Sequence, residues 1–194
     1  DLAATSLYFA RIDIPKYMEA RTLFGPDAQV RKFAVSARDR CDETYDRIRA
    51  VRTQRFKYIL NGYPERPHLQ PCAYKDNKAT YLAIRDWGKK GKLDDLQQRL
   101  LLSPSRAPEE LYDLKTDPWE IKNLAGDPKH SKTLLKMRKT LDQWIKETGD
   151  QGQKVEPMKM YDSDMKIYMD GQASRGRQER ADEIQANVDQ MKKW

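Results

Sequence analysis

The stretch "EELYDLKTDPWEIKNLAGDP", residues 109–128, decides the fold. Glu110, Tyr112 and Leu114 alternate with Leu111 and Asp113, which is the period of a strand. Asp117-Pro118 breaks it. An Asp side chain accepts from free backbone N–H groups at a helix start, and Pro lacks the N–H that has no partner there. Glu120 follows at nearly the spacing of a capping box, so a short helical turn is expected after the strand. Asp127-Pro128 repeats the device and opens a longer helix to about Glu147. Leu134, Met137, Leu141 and Trp144, with Leu135 and Ile145 beside them, form its apolar stripe, and Gly149 stands where a C-terminal cap is needed.

Working outward, residues 30–37 suit a strand, and 47–53 and 55–60 form a hairpin linked at Thr53-Gln54. "NGYPERPHLQP" is a Gly/Pro-rich excursion, and residues 77–102 carry helical patterning. "SPSRAP" separates that segment from the strand at 110–114. After Asp150 the character changes. Ile184, Val188 and Met191 recur at helical spacing near a charged end, and "DSD" at 162–164 reads as a loop. The expected fold is α+β: a small antiparallel sheet of about four strands with a C-terminal helix packed across one face, further helical segments and a helical tail.

The 194 residues are enough for one domain with its own core. Mean hydropathy is −0.96, and no run approaches the ~18 apolar residues of a membrane span. Residues 1–14 lack the pattern of a signal peptide. The chain opens inside an amphipathic helix, which leads to the expectation of an excised domain or a piece of a longer protein. The net charge of +7 favours anionic partners such as nucleic acid, anionic lipid or sulfated glycan. The arginines are spread through the strands, as on a solvated basic surface. Cys41 and Cys72 lack metal-site spacing, and a disulfide and two free thiols are equally open. His68 and His130, far apart in sequence, are too few for a histidine-based metal site without help from carboxylates.

Several separated stretches, in order, resemble formylglycine-dependent sulfatases. "ELYDLKTDPWEIKNLAGDP" followed by "LDQWIKETGD" is similar to their C-terminal subdomain. "RIRAVRTQRFKYILNGYPERP" looks like its hairpin in heparan N-sulfatase-like members, and "DLAATSLYFARIDIP" like the helix and loop before it. The resemblance covers residues 1 to about 150. It implies three regions: 1–29, the end of the preceding catalytic-domain region; 30–150, the sulfatase C-terminal subdomain; and 151–194, a charged extension. It departs at Arg11 and Ala20, where related sequences usually place Gly.

The resemblance implies a parent enzyme of the alkaline-phosphatase-like superfamily that hydrolyses sulfate esters or sulfamates of sulfated carbohydrates, periplasmic or secreted. The nucleophile would be a formylglycine made from Cys or Ser in C/S-x-P-x-R, beside a calcium ion. "CDETY" at Cys41 and "CAYKD" at Cys72 do not fit that motif. This chain is therefore expected to hold no catalytic residue and no metal site, and to be inert alone. Calcium and formylglycine belong to the N-terminal catalytic domain, its expected partner.

The candidate substrate contacts are Arg38 and Arg40 in "SARDRCDE", and His68 in "PERPHLQP". Guanidinium groups on a turn can bind sulfate or carboxylate through paired hydrogen bonds. Against this, each arginine can pair with Asp39, Asp42 or Glu43, and a lone loop histidine is most often merely exposed. Two alternatives stand beside the sulfatase reading. One is a non-catalytic basic domain for a polyanion such as nucleic acid, although the resemblance implies no nucleic-acid partner. The other is part of a related phosphonate or phosphate monoester hydrolase.

Overall fold

A computed structural model describes residues 1–26, 28 and 30–194. The chain divides into two compact units, Asp1–Ala34 and Val35–Trp194. In the first, the loop after helix α1 (Leu2–Phe9) is tied back to the residue that precedes the helix. The Asp1 carboxylate accepts from the Arg21 backbone N–H at 2.9 Å and from the Arg31 guanidinium at 2.5 and 2.6 Å. Arg11 follows the helix at φ 58°, in the left-handed region that glycine enters freely. The conformation expected of a glycine is therefore kept although the glycine is not.

The second unit is built on strands β1 (Ala34–Arg38, from Val35 on), β2 (Ile48–Arg52), β3 (Phe56–Asn61) and β4 (Glu109–Asp113), adjacent in the order β1-β2-β3-β4. The pairs β2–β3 and β3–β4 are antiparallel. Val51 lies opposite Tyr58, and Tyr58 opposite Leu111, so one row of buried side chains crosses three strands. Helix α5 (Ser131–Thr148) lies on that row with Leu134, Met137 and Leu141. Trp144 and Ile145 are only partly buried at the edge of the core, and Leu135 is exposed. The apolar stripe is thus narrower than the sequence pattern, because Leu135 stands on the solvent side of the helix.

The heavily punctuated stretch turns the chain back along β4. The Asp117 carboxylate accepts from the N–H groups of Ile121 at 3.1 Å and Lys122 at 2.8 Å. No helix forms here: Glu120 takes φ 57° and pairs with Lys57 at 2.6 Å instead of closing a capping box. Asn123 Oδ1 accepts from the Leu111 N–H at 3.0 Å and the Ala125 N–H at 2.9 Å, while its amide donates to the Glu109 carbonyl at 2.9 Å. The Leu124 N–H donates to the Leu111 carbonyl at 2.8 Å. One Asn side chain therefore satisfies backbone groups of β4 and of the returning segment together. Asp127 caps a single 3-10 turn, Pro128–His130, before α5 begins. Gly149 ends α5 at φ 62°, the left-handed cap.

The segment between β3 and β4 carries α2 (Ala73–Asp76), α3 (Ala79–Lys89) and α4 (Asp95–Leu101). Gly91, at φ 63°, separates α3 from α4. Residues 158–193 form a helical hairpin, α6 (Met158–Ala173) and α7 (Gln178–Lys193), closed by Tyr161, Met165, Ile184 and Val188. Asp162 and Asp164, expected in a loop, stand on α6, where Asp162 pairs with Lys192 at 2.6 Å.

Candidate anion-binding cleft

β1 ends at Arg38, and the chain then crosses the rim of the sheet through "DRCDETYD". Two ion-pair centres fix this rim. Asp46, fully buried, accepts two hydrogen bonds of 2.9 Å from Arg106 and one of 2.7 Å from Gln70. Arg49, buried on β2, donates to Asp39 at 2.9 Å and to Asp150 at 2.7 Å, which ties the segment after α5 back to the sheet. Burying a guanidinium is costly unless its donors are met; Asp39 and Asp150 meet those of Arg49, whereas the Nε of Arg106 has no partner among the described residues.

The three expected site residues go different ways. Arg38 and His68 come together at a cleft of about 40 Å³, with Thr44, Gln70, Lys75 and Tyr81 also on its wall. Neither Arg38 nor Lys75 has a carboxylate partner among the described residues, so two cationic groups face one small space. His68 is exposed at the mouth of this cleft. Partial desolvation of its ring lowers its pKa, with Arg106 and Arg38 adding to the shift and Glu110 and Asp46 opposing it. At neutral pH this ring is an uncharged hydrogen-bonding group.

Arg40 stands apart from them. It pairs with Glu156 at 2.9 Å and with Asp164 of α6 at 2.5 Å, and lies 5.8 Å from the Tyr161 ring centre. The acids are not its sequence neighbours but arrive from more than a hundred residues away. Lys75 was not a sequence candidate. Only the fold of the 62–75 excursion brings α2 to Arg38, and no local pattern marks it.

A larger cavity of about 710 Å³ lies beside Arg40. Its wall includes Asp39, Asp42, Asp150, Glu156 and Asp164 against Arg40 and Lys154. That acidic surplus repels anions, so of these two spaces only the Arg38 cleft suits a negative group. Neither cysteine is oxidised: Cys41 is exposed, and Cys72 is a buried free thiol at the start of α2. Neither has the sequence surroundings of a formylglycine precursor, and the residues present do not fit that group.

No family model matches the chain. It is 36% identical over 151 residues to an ulvan-active sulfatase of Formosa agariphila, which covers 77% of this chain and 25% of that protein. It is 57% identical over 42 residues to a Delta 4,5-hexuronate-2-O-sulfatase of Bacteroides thetaiotaomicron, covering 22% of this chain and 9% of that one. The solved structure of a 2-O GAG sulfatase superposes with a TM-score of 0.53 at 25% identity, over 80% of this chain and 26% of that structure. The four-stranded sheet with α5 across it is thus an architecture found within sulfatases. This chain is similar to a part of these sulfatases, and it spans about a quarter of the length of the first of them.

Proposed function

We propose that the protein carrying this subdomain hydrolyses sulfate esters or sulfamates of a sulfated carbohydrate. In this reading the chain supplies structure and one border of the substrate cleft, and the nucleophile lies elsewhere. The observation that carries the reading is the 36% identity over 151 residues to an ulvan-active sulfatase, and the names of the hexuronate-2-O- and 2-O GAG sulfatases point the same way. Formylglycine and calcium would belong to an N-terminal catalytic domain, where the aldehyde hydrate supplies the nucleophile and the cation neutralises sulfate oxygens.

The surface of the chain supports such a partner. Leu82 and Trp87 on α3, and Leu96 and Leu100 on α4, are exposed, an apolar surface suited to packing against a second domain. Arg38 and Lys75 would hold an anionic group of the sugar, with His68 as a neutral hydrogen-bonding neighbour. The cleft is too small for a sugar ring, so it would take the end of one anionic substituent at the border of a larger site. Arg40 is a weaker candidate, because a substrate would have to displace two carboxylates from it.

The test is sulfate release by the full-length protein from sulfated oligosaccharides, with phosphonate and phosphate monoesters in parallel. Release of sulfate by the full-length protein and none by the 194-residue chain alone is the expected result. Turnover of phosphonate monoesters without sulfate release would overturn it, as would aryl sulfate turnover by the chain alone. Tight binding of DNA with no preference for sulfated glycans would favour a polyanion-binding domain instead.

A further inference from the structure

We propose that Asp42, Glu43 and Cys72 form a binding site for one zinc ion. One carboxylate oxygen from each acid and the Cys72 sulfur lie within 4.8 Å of one another. Glu43 is fully buried. Its Oε1 accepts from the Ala73 N–H and from the Asn187 amide, the latter at 2.9 Å, while its Oε2 has no hydrogen-bond partner. A buried carboxylate oxygen without a donor is costly to keep, and a cation removes that cost. The Glu43 carbonyl accepts from the Tyr161 hydroxyl at 2.7 Å, so α6 and α7 both hold this residue in place.

The donor set selects the metal. Thiolate sulfur favours zinc over calcium or magnesium, which take oxygen ligands. Zinc accepts both Cys sulfur and carboxylate oxygen as ligands, and three protein ligands leave a fourth position for water. On binding, the Cys72 thiol loses its proton to solvent as the sulfur–zinc bond forms. Zinc bonds of about 2.0–2.3 Å in tetrahedral geometry bring donor atoms to separations of about 3.3–3.8 Å, so the three groups must draw together. Asp42 can make that movement because it is exposed, and it lines the 710 Å³ cavity, which gives the ion a path from solvent.

The experiment is titration of the metal-free 194-residue chain with cobalt(II), followed by displacement with zinc. One equivalent should produce the near-ultraviolet thiolate-to-cobalt absorption, and zinc should remove it and raise the melting temperature. Cys41→Ser should keep the absorption and Cys72→Ser should abolish it. Asp42→Asn should weaken zinc binding by roughly tenfold or more with the circular dichroism unchanged, since Asn tolerates the φ of 53° at this position. The proposal is overturned if the wild-type chain gives no such absorption, or if the absorption survives Cys72→Ser. It is also overturned if zinc raises the melting temperature equally in Asp42→Asn, which would place the ion elsewhere. None of these readouts depends on sulfatase activity, so the outcome is independent of the functional reading above.

Discussion

Leu141 and Trp144 stand three residues apart on α5, and their environments differ sharply. Leu141 is 1% exposed in the middle of the core, whereas Trp144 is partly buried at its edge. Leu141→Ala is therefore expected to cost about 2–5 kcal/mol, the range for emptying a packed aliphatic site. Trp144→Ala should cost less, despite the larger side chain removed, because solvent already reaches part of the ring. Urea denaturation midpoints of the two variants check the order. A larger loss for Trp144→Ala would mean that α5 is rotated on the sheet. Gly149 gives a second residue-level expectation. An added Cβ meets nothing within 4 Å, so Gly149→Ala pays only for holding φ 62°, about 1 kcal/mol.

At the scale of elements, ion pairs fasten α5 and its ends to the sheet. Glu109 on β4 is paired with Arg138 of α5 and accepts from the Tyr58 hydroxyl at 2.6 Å. Asp150, just past α5, is held by Arg49. Hydrogen bonds from those arginines are the leading cause that keeps both carboxyl groups below their ordinary pKa. A carboxyl group with a depressed folded pKa contributes stability above its unfolded value, about 4, and loses that contribution as pH falls through the folded one. The chain is thus expected to lose stability from about pH 4 downward, and Asp150→Asn should flatten that slope while lowering stability at neutral pH. Melting temperatures at a series of pH values measure both effects. A slope unchanged in Asp150→Asn would show that the Arg49 pair does not act on folding.

Much of this level was readable in the sequence, and the reasons are physical. Strand alternation at 110–114, the Asp127-Pro128 start and the glycine cap act through nearest neighbours, so the sheet, α5 and its end could be placed, whereas Asp117-Pro118 carries the same local signal and opens no helix. Asn123 could not, because a backbone group it satisfies belongs to Leu111 on β4, twelve residues upstream in sequence and beside it only once the chain has folded. The same holds for the aspartates of α6, whose helical state rests on packing against α7.

At the scale of the molecule, the candidate site was legible in part. "SARDRCDE" marked Arg38 as a presented guanidinium, but the meeting of Arg38 with His68 and Lys75 depends on the path of the long β3–β4 connection. The fate of Arg40 depended on a segment after residue 150 whose acids the sequence left unassigned. Arg40→Ala should consequently loosen the attachment of residues 156–164, seen as faster amide exchange in α6, with little change in substrate affinity. Unchanged exchange there would show that the pairs to Glu156 and Asp164 add nothing to the docking of α6.

The most direct measurement of the central claim is the steady-state kinetics of Arg38→Ala in the full-length protein, on a sulfated saccharide and on a small aryl sulfate. A charge-assisted hydrogen bond is worth ~1.5–3 kcal/mol, so losing Arg38 is expected to raise KM for the saccharide by roughly ten- to a hundredfold and to spare kcat. The aryl sulfate, which lacks the distal anionic group, should be turned over as before. Equal losses on both substrates, or no loss on either, would contradict a substrate-binding role for this cleft.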